Sequence, residues 1–276
     1  MLGDLGLSGE AVPPARIVFW LATLAGIGLT ARSLLAEPPP LWIAIAGVSA
    51  YFGILLSGVF ILRLRMFADA IVRGPRDANG VVLTFDDGPD PVHTRAVLDA
   101  LDAHQAKATF FVIGRKAEQH RDVVEEILRR GHEVGVHGFA HDRLFSLRGS
   151  KRVRDDLHRA IRVLENITGT TPVLFRPPIG HTNPTIARIA DQLDLTTIGW
   201  SVRARDGLAS TKPDDVLARI SRGLEDGAIV LLHDAPETGD RKPAGVTALP
   251  AILERIAAKN LKVVPLSKWL DPAKAE

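Results

Sequence analysis

The sequence predicts an α/β domain built on a parallel sheet, open or closed into a barrel, carried behind an apolar helical hairpin. Three observations lead there. Composition changes abruptly near residue 63, after two long uncharged runs. From about residue 79, short apolar runs alternate with amphipathic segments, the β-then-α rhythm of a parallel sheet. Polar residues able to do chemistry recur just after the apolar runs, and the C-terminal ends of strands are where such folds carry their sites.

A chain of 276 residues accommodates one ordinary domain with an appendage. It is 46% hydrophobic and 24% charged, enough apolar material for a core and incompatible with a disordered chain. The net charge is only +2 and no basic block occurs, which argues against nucleic acid as a partner. Cysteine is absent, so any metal ligands must come from His and carboxylates.

The first run, 17–31, is bounded by Arg16 and Arg32 and reaches spanning length if Arg32 snorkels and the helix continues to 36. The second, 41–62, carries no charge and is long enough to cross a bilayer. Pro38-Pro39-Pro40 breaks the chain between them. A cleaved signal peptide fits less well than a retained anchor, because Asp4 and Glu10 spoil a basic leader and no small-residue cleavage site follows. The expectation is therefore a membrane anchor over 1–78, with one or two transmembrane helices (about 17–36 and 41–62), and a catalytic domain over 79–270. Arg63, Arg65, Arg73 and Arg76 follow the second run. By the positive-inside rule they favour a cytoplasmic catalytic domain at a bacterial-type inner membrane.

Within the second region, strands are expected at 81–85, 108–113, 133–136, 173–175, 196–200, 228–232 and 262–264. Helices are expected at 94–104, 121–130, 151–168, 184–193, 213–224 and 249–259, with Asp214 and Asp215 near the start of one and Gly131 after another as end signals. Asp86 and Asp87 follow the first strand, His137 and His141 the third, and Arg176 the fourth. Asp206 comes shortly after the fifth and His233 ends the sixth.

Taken singly these signals are weak. Asp-Gly-Pro runs form turns, and two histidines four apart are often surface residues. Together, Asp87, His137 and His141 make a His₂Asp set, three protein ligands that leave positions open on a hydrolytic metal. Adjacent carboxylates at a strand end point in different directions, so Asp86 is free for another task.

Thr84-Phe85-Asp86-Asp87-Gly88-Pro89 resembles the first motif of the polysaccharide deacetylase (NodB homology) family, carbohydrate esterase family 4. His137-x-x-x-His141 resembles its second motif and Arg176-Pro177-Pro178-Ile179-Gly180 its third. The stretch 200–206 is similar to a divergent fourth motif, and Leu231-Leu232-His233 to the fifth. The motifs stand in family order over roughly 79–270. The resemblance implies a distorted (β/α) barrel of the NodB-homology type behind the N-terminal transmembrane hairpin. It further implies a metal-dependent hydrolase that removes N-acetyl (N-acyl) groups from amino sugars of a polysaccharide or lipid-linked glycan.

Carried onto this chain, the resemblance makes Asp87, His137 and His141 ligands of one divalent metal ion, commonly Zn in the family, with Co or Mn as alternatives. Asp86 becomes the general base, held by Arg176, and His233 the general acid, paired with Asp206. The Ile179 backbone N–H becomes an oxyanion donor and Leu231 lines the acyl pocket. The partners implied are an N-acetylated glycan or lipid-linked amino sugar, and membrane lipid through the N-terminal helices. Four departures stand out. Gly138 replaces a usual Ser or Thr, removing a hydrogen bond that braces the histidine loop. Ile179 replaces a common aromatic, while Arg203 and Gly207 replace a frequent acid and tryptophan. A non-catalytic glycan-binding protein with this fold, or an O-deacetylase or deformylase with the same site, are the alternative readings. The remaining histidines read as surface or structural residues, and among them His181, directly after the third motif, is the one best placed to touch substrate.

Overall fold

A computed structural model describes residues 12–270; residues 1–11, with Asp4 and Glu10, and 271–276 lie outside the described residues. The chain begins with α1 (Pro14–Leu35) and α2 (Leu41–Phe60), whose mean hydropathies of 1.6 and 2.0 and whose lengths suffice to cross a membrane. Their apolar side chains are not core residues: Trp20, Leu21, Leu24, Ile27, Trp42 and Phe52 are all more than half exposed. The helices form a hairpin, linked near its middle by a Thr23–Tyr51 hydroxyl contact of 3.1 Å.

Seven strands, all parallel, form the sheet of the second region. They are β1 (Val82–Asp86), β2 (Thr109–Val112), β3 (Glu133–Val136), β4 (Leu174–Phe175), β5 (Thr196–Thr197), β6 (Val202–Arg203) and β7 (Ile229–His233). The order is β5-β4-β3-β2-β1-β7-β6, which puts β1 inside the sheet between β2 and β7, in register with both Phe111 and His233 at its last residue, Asp86. Every residue of β1 is buried, as expected of a parallel strand covered on both faces.

The helices cover the sheet through apolar stripes. They are α3 (His93–Ala103), α4 (Gly114–Gln119), α5 (Arg121–Arg129), α6 (Ser150–Thr168), α7 (Pro184–Gln192), α8 (Pro213–Gly223), α9 (Ala244–Ala258) and the short α10 (Ser267–Leu270). On α6, Val153, Leu157, Ala160, Ile161 and Leu164 face the core, and Gly169 ends the helix in the left-handed conformation at φ 72°. A Leu157→Ala change there removes a fully buried side chain and costs about 2–5 kcal/mol. Asn183 caps α7 by accepting from the Ile186 N–H, with Pro184 in the first turn.

Two expected strands came out differently. The segment 196–200 is not one strand: Thr196–Thr197 pairs with β4 at one edge, and the chain resumes as Val202–Arg203 against β7 at the other. Residues 262–264 contribute only an isolated bridge, Val81 to Val263. Since only four residues, 198–201, separate β5 from β6, and a residue spans at most about 3.6 Å, the sheet must curl until its edges approach. The gap between them is filled from upstream. Ile71 bridges Ile198 and Arg73 bridges Ala228. The bonds are Ile71 N–H to Thr197 O (2.9 Å), Gly199 N–H to Ile71 O (2.8 Å) and Gly74 N–H to Gly227 O (2.8 Å). The result is a distorted (β/α) barrel closed by the segment that leads out of the hairpin.

The hairpin is fastened to this barrel. Arg16, at the start of α1, donates to the carbonyls of Met66 and Arg65 and to Asp69 at 2.7 Å. At the end of α2, Val59 O accepts from the Thr182 N–H at 3.1 Å, and the Phe60 and His181 rings meet edge to face at 4.7 Å.

Candidate active site

The residues singled out in the sequence converge at the C-terminal end of the sheet, on a cleft of about 520 Å³. Asp86, Asp87, His137, His141, Ile179, Leu231 and His233 line it. Arg176 and Asp206 lie behind its wall, both fully buried. His181 is not among the lining residues and packs on Phe60 instead, so the expectation that it touches substrate does not match its position.

Asp87, His137 and His141 each offer a ligand atom within 4.8 Å of the others. Asp87 leaves β1 in the left-handed region, φ 73°, and its carboxylate and that of Asp86 both approach His137 Nε2, at 3.5 and 3.8 Å. Asp87 Oδ1 also lies 3.1 Å from His141 Nε2. That oxygen is buried without a hydrogen-bond partner. His137 Nδ1 donates to the Arg176 carbonyl at 2.8 Å, which fixes the tautomer and leaves Nε2 as a lone-pair donor. Burial alone would push the Asp87 carboxyl up, but the closeness of His137, with His233 and His141, holds it far below the usual carboxylate range.

Asp86 is held from behind. Arg176 Nη1 donates to Asp86 Oδ1 at 2.7 Å and to Thr84 Oγ1 at 2.8 Å, while Nη2 and Nε are taken by the carbonyls of Gly199 and Ile198. The guanidinium also lies 4.2 Å from the Phe111 ring centroid. Burial pulls the Arg176 pKa down, opposed by Asp86. With these donors matched, the pair keeps one Asp86 oxygen fixed.

Across the cleft, His233 Nδ1 meets Asp206 Oδ1 at 2.8 Å, and the His233 backbone N–H donates to Asp206 Oδ2 at 2.9 Å. Burial opposes the imidazolium, yet the Asp206 charge and bond, with Asp87 and Asp86 adding to them, raise the His233 pKa to about 9. Its free Nε2 lies 4.0 Å from Asp87 Oδ2. Ile179 sits at φ 61° in the turn Pro178–Gly180, and its N–H has no partner among the described residues. A side chain at Gly180 would collide with Trp200, another lining residue.

Several residues escaped the sequence reading. Asp156 on α6 accepts from the Phe139 N–H at 2.7 Å and the Ala140 N–H at 3.1 Å, which braces the histidine loop where Gly138 offers no hydroxyl. Gly138 itself has φ 72° and faces Asp156 and Pro178. Glu237 approaches His141 Nδ1 at 3.4 Å and takes two bonds from Arg143. Lys116 donates to the carbonyls of Asp87 and Pro236, both at 2.7 Å. At Gly207 a Cβ would be only in ordinary contact with the His233 ring, so no aromatic wall covers that imidazole.

Comparison with known proteins now bears on this geometry. Residues 73–198 match the family described as polysaccharide deacetylase. A peptidoglycan-N-acetylglucosamine deacetylase of Bacillus cereus is 32% identical over 199 residues, covering 71% of this chain and 90% of that protein. The chain belongs to the polysaccharide deacetylase family. The crystal structure of the Bc1960 peptidoglycan N-acetylglucosamine deacetylase superposes with a TM-score of 0.68 at 29% identity, over 72% of this chain and 91% of that one. A mutant of BA3943, a family 4 carbohydrate esterase pseudoenzyme of Bacillus anthracis with restored activity, gives a TM-score of 0.66 at 31% identity, over 75% and 74%. Family membership makes this chain a hydrolase of the amide bond in N-acetylated amino sugars.

Proposed function

We propose that this protein removes N-acetyl groups from the amino sugars of a glycan, using one divalent metal ion held by Asp87, His137 and His141. The observation that carries the reading is the assembly, around one cleft, of that cluster with two separate acid–base pairs, Asp86–Arg176 and His233–Asp206. The donors suit such an ion: two neutral imidazole nitrogens and the partnerless buried oxygen of Asp87 are the set that zinc, and also cobalt or manganese, accepts. When bound, the ion supplies Lewis-acid polarisation of the acyl carbonyl and acidifies water toward a pKa of about 7.

The rest of the chemistry belongs to the chain. Asp86, fixed in direction by Arg176, takes the proton of the attacking water. The Ile179 N–H stabilises the negative charge that develops on the carbonyl oxygen, without reorganisation at the moment of attack. His233, held protonated by Asp206, gives a proton to the departing amine, which is too poor a leaving group unprotonated. Leu231 bounds the space for the acetyl methyl.

A second reading, a binding protein that keeps the fold, has a precedent in the pseudoenzyme BA3943. The complete set of ligands, base and acid argues against it here, as no member of the machinery is missing. O-deacetylation and deformylation would use the same groups. We further read α1 and α2 as a retained anchor in a bacterial-type inner membrane. The basis is that Arg16 ties α1 into residues 65–69. The arginines at 63, 65, 73 and 76 favour a cytoplasmic catalytic domain. The test is mass-spectrometric detection of acetate released from polymeric and lipid-linked N-acetyl sugars, with chelator controls. Release that stops with chelator and returns with zinc, cobalt or manganese is expected; no release from any of them defeats the enzymatic reading.

A further inference from the structure

The wall of the cleft runs directly into the end of the apolar hairpin. Gly180 lines the cleft. The ring of the next residue, His181, lies 4.7 Å from that of Phe60, the last residue of α2. Thr182 is bonded to Val59. The following residue, Asn183, donates to Ser146 O at 2.6 Å, which brings in a turn bearing Leu144 and Leu147, 50% and 76% exposed. Bare leucines beside the last turn of a spanning helix suit a surface that meets the lipid headgroup region. The cleft therefore opens at the bilayer interface rather than far from it.

Charge at the rim adds a second observation. Of the three arginines lining the cleft, Arg143 is occupied by Glu237 at 2.6 and 2.7 Å. Arg203 and Arg205 are exposed, line the cleft, and have no carboxylate within 4.0 Å among the described residues. Arg203 lies 5.7 Å from the Trp200 ring centroid, on the same wall of the cleft as Gly180. A neutral N-acetylglucosamine polymer offers two free guanidinium groups only uncharged hydroxyl and carbonyl acceptors. A phosphate offers opposite charge as well, and its oxygens match the guanidinium fork.

We propose that the substrate is an amino sugar joined through a phosphate to a membrane lipid, with Arg203 and Arg205 receiving the phosphate while the sugar's N-acetyl group enters the cleft. The inference rests on the deacetylase reading above. Only the amide C–N bond breaks: water adds OH to the acyl carbon and hydrogen to the nitrogen, and the phosphate linkage is left intact. Tethering the substrate in the plane on which the cleft opens replaces a three-dimensional search with a lateral one.

The experiment uses the full chain in phospholipid vesicles with zinc supplied. It compares acetate release from a polyprenyl-phosphate-linked N-acetylhexosamine, an uncharged N-acetylglucosamine oligomer, and peptidoglycan, whose carboxylates are the other source of anionic recognition. The expected result is a kcat/KM for the lipid-phosphate sugar at least about tenfold above both others, as two charge-assisted contacts would give. The double change Arg203→Ala with Arg205→Ala should shrink that preference about tenfold through KM, and the double Lys variant should restore part of it. If the oligomer or peptidoglycan is turned over as well as the lipid-linked sugar, or the preference survives the double Ala change, the inference falls while the deacetylase reading stands. If none of the three releases acetate, both fall.

Discussion

Replacing Asp206 by Asn removes the charge that holds the His233 imidazole protonated. In the intact site that pKa is about 9, against about 6.5 for an unperturbed histidine. Burial works against protonation; Asp206 is the largest opposing cause, ahead of Asp87 and Asp86. A divalent ion on Asp87 would neutralise that carboxylate, so most of the remaining elevation rests on Asp206. Without Asp206, burial is opposed only by the weaker causes, so the variant's His233 pKa should fall well below about 9, each unit being worth about 1.4 kcal/mol. The sign follows from the role: an acid that must be protonated loses activity as pH rises through its pKa, so lowering the pKa moves the alkaline limb down. At pH 8 the intact acid is about nine-tenths protonated; the variant loses much of that fraction, and the difference narrows as pH falls. The assay is kcat/KM for acetate release between pH 5.5 and 9.5, roughly the span that brackets both limbs. Asn keeps an oxygen to accept the His233 backbone N–H now bonded at 2.9 Å, and a melting curve checks that the variant folds. An alkaline limb that stays in place while the rate drops equally at every pH would refute the reasoning and leave Asp206 as scaffold alone.

Asp86→Asn should reduce turnover by about 10²–10⁴-fold and leave bound metal, read by elemental mass spectrometry, unchanged; undiminished turnover would remove Asp86 from the mechanism. Arg176→Met leaves a buried carboxylate without its partner, so denaturant unfolding should show a loss of about 3–5 kcal/mol, and a loss below about 1 kcal/mol would mean that the pair contributes little. Asp156→Ala frees the two N–H groups that it orders and should weaken metal affinity about tenfold or more, measured by competition with a chromogenic chelator; unchanged affinity would show that the loop holds its shape unaided. A reporter fused after Glu276 should be active on the cytoplasmic side only, and activity on the outer side would reverse the orientation.

How much of this was legible beforehand depended on where each residue stood. Asp86, Asp87, His137, His141 and His233 could be found because each lies at or just after the end of an apolar run, and a parallel sheet gathers such ends in one place. Arg176 and Asp206 stood out after strand ends as well, but their roles came only from the resemblance, since nothing local says that their side chains point inward behind the cleft. Asp156, Glu237 and Lys116 gave no signal. They act through backbone groups or through another side chain, and no spacing rule relates an aspartate on α6 to the N–H groups of Phe139 and Ala140 that it orders.

The fifth strand misled because Thr196–Trp200 reads as one apolar run, yet the chain on either side of it serves opposite edges of the sheet. Gly199 bonds to Ile71 and Ser201 to Ile229, so the chain spends those residues crossing the barrel rather than extending an edge. Helix α9 begins at Ala244 and carries Pro250 inside it, where a proline argues locally for a start near 249. Packing of Val246, Leu249, Ile252, Leu253 and Ile256 into the core outweighs that local preference.

The closure of the barrel by residues 71–74 bears on how the catalytic region can be handled apart from its anchor. A fragment starting at 79, where the alternating pattern begins, would lack Ile71, Arg73 and Gly74. It would leave Thr197, Gly199 and Gly227 without the backbone partners that seal the seam, and an open sheet edge of that kind invites pairing between chains. Met66, Ala68 and Ala70 are buried as well, so the seam extends back almost to the end of α2. A fragment that keeps its shape must therefore start before Met66, within a few residues of the end of α2.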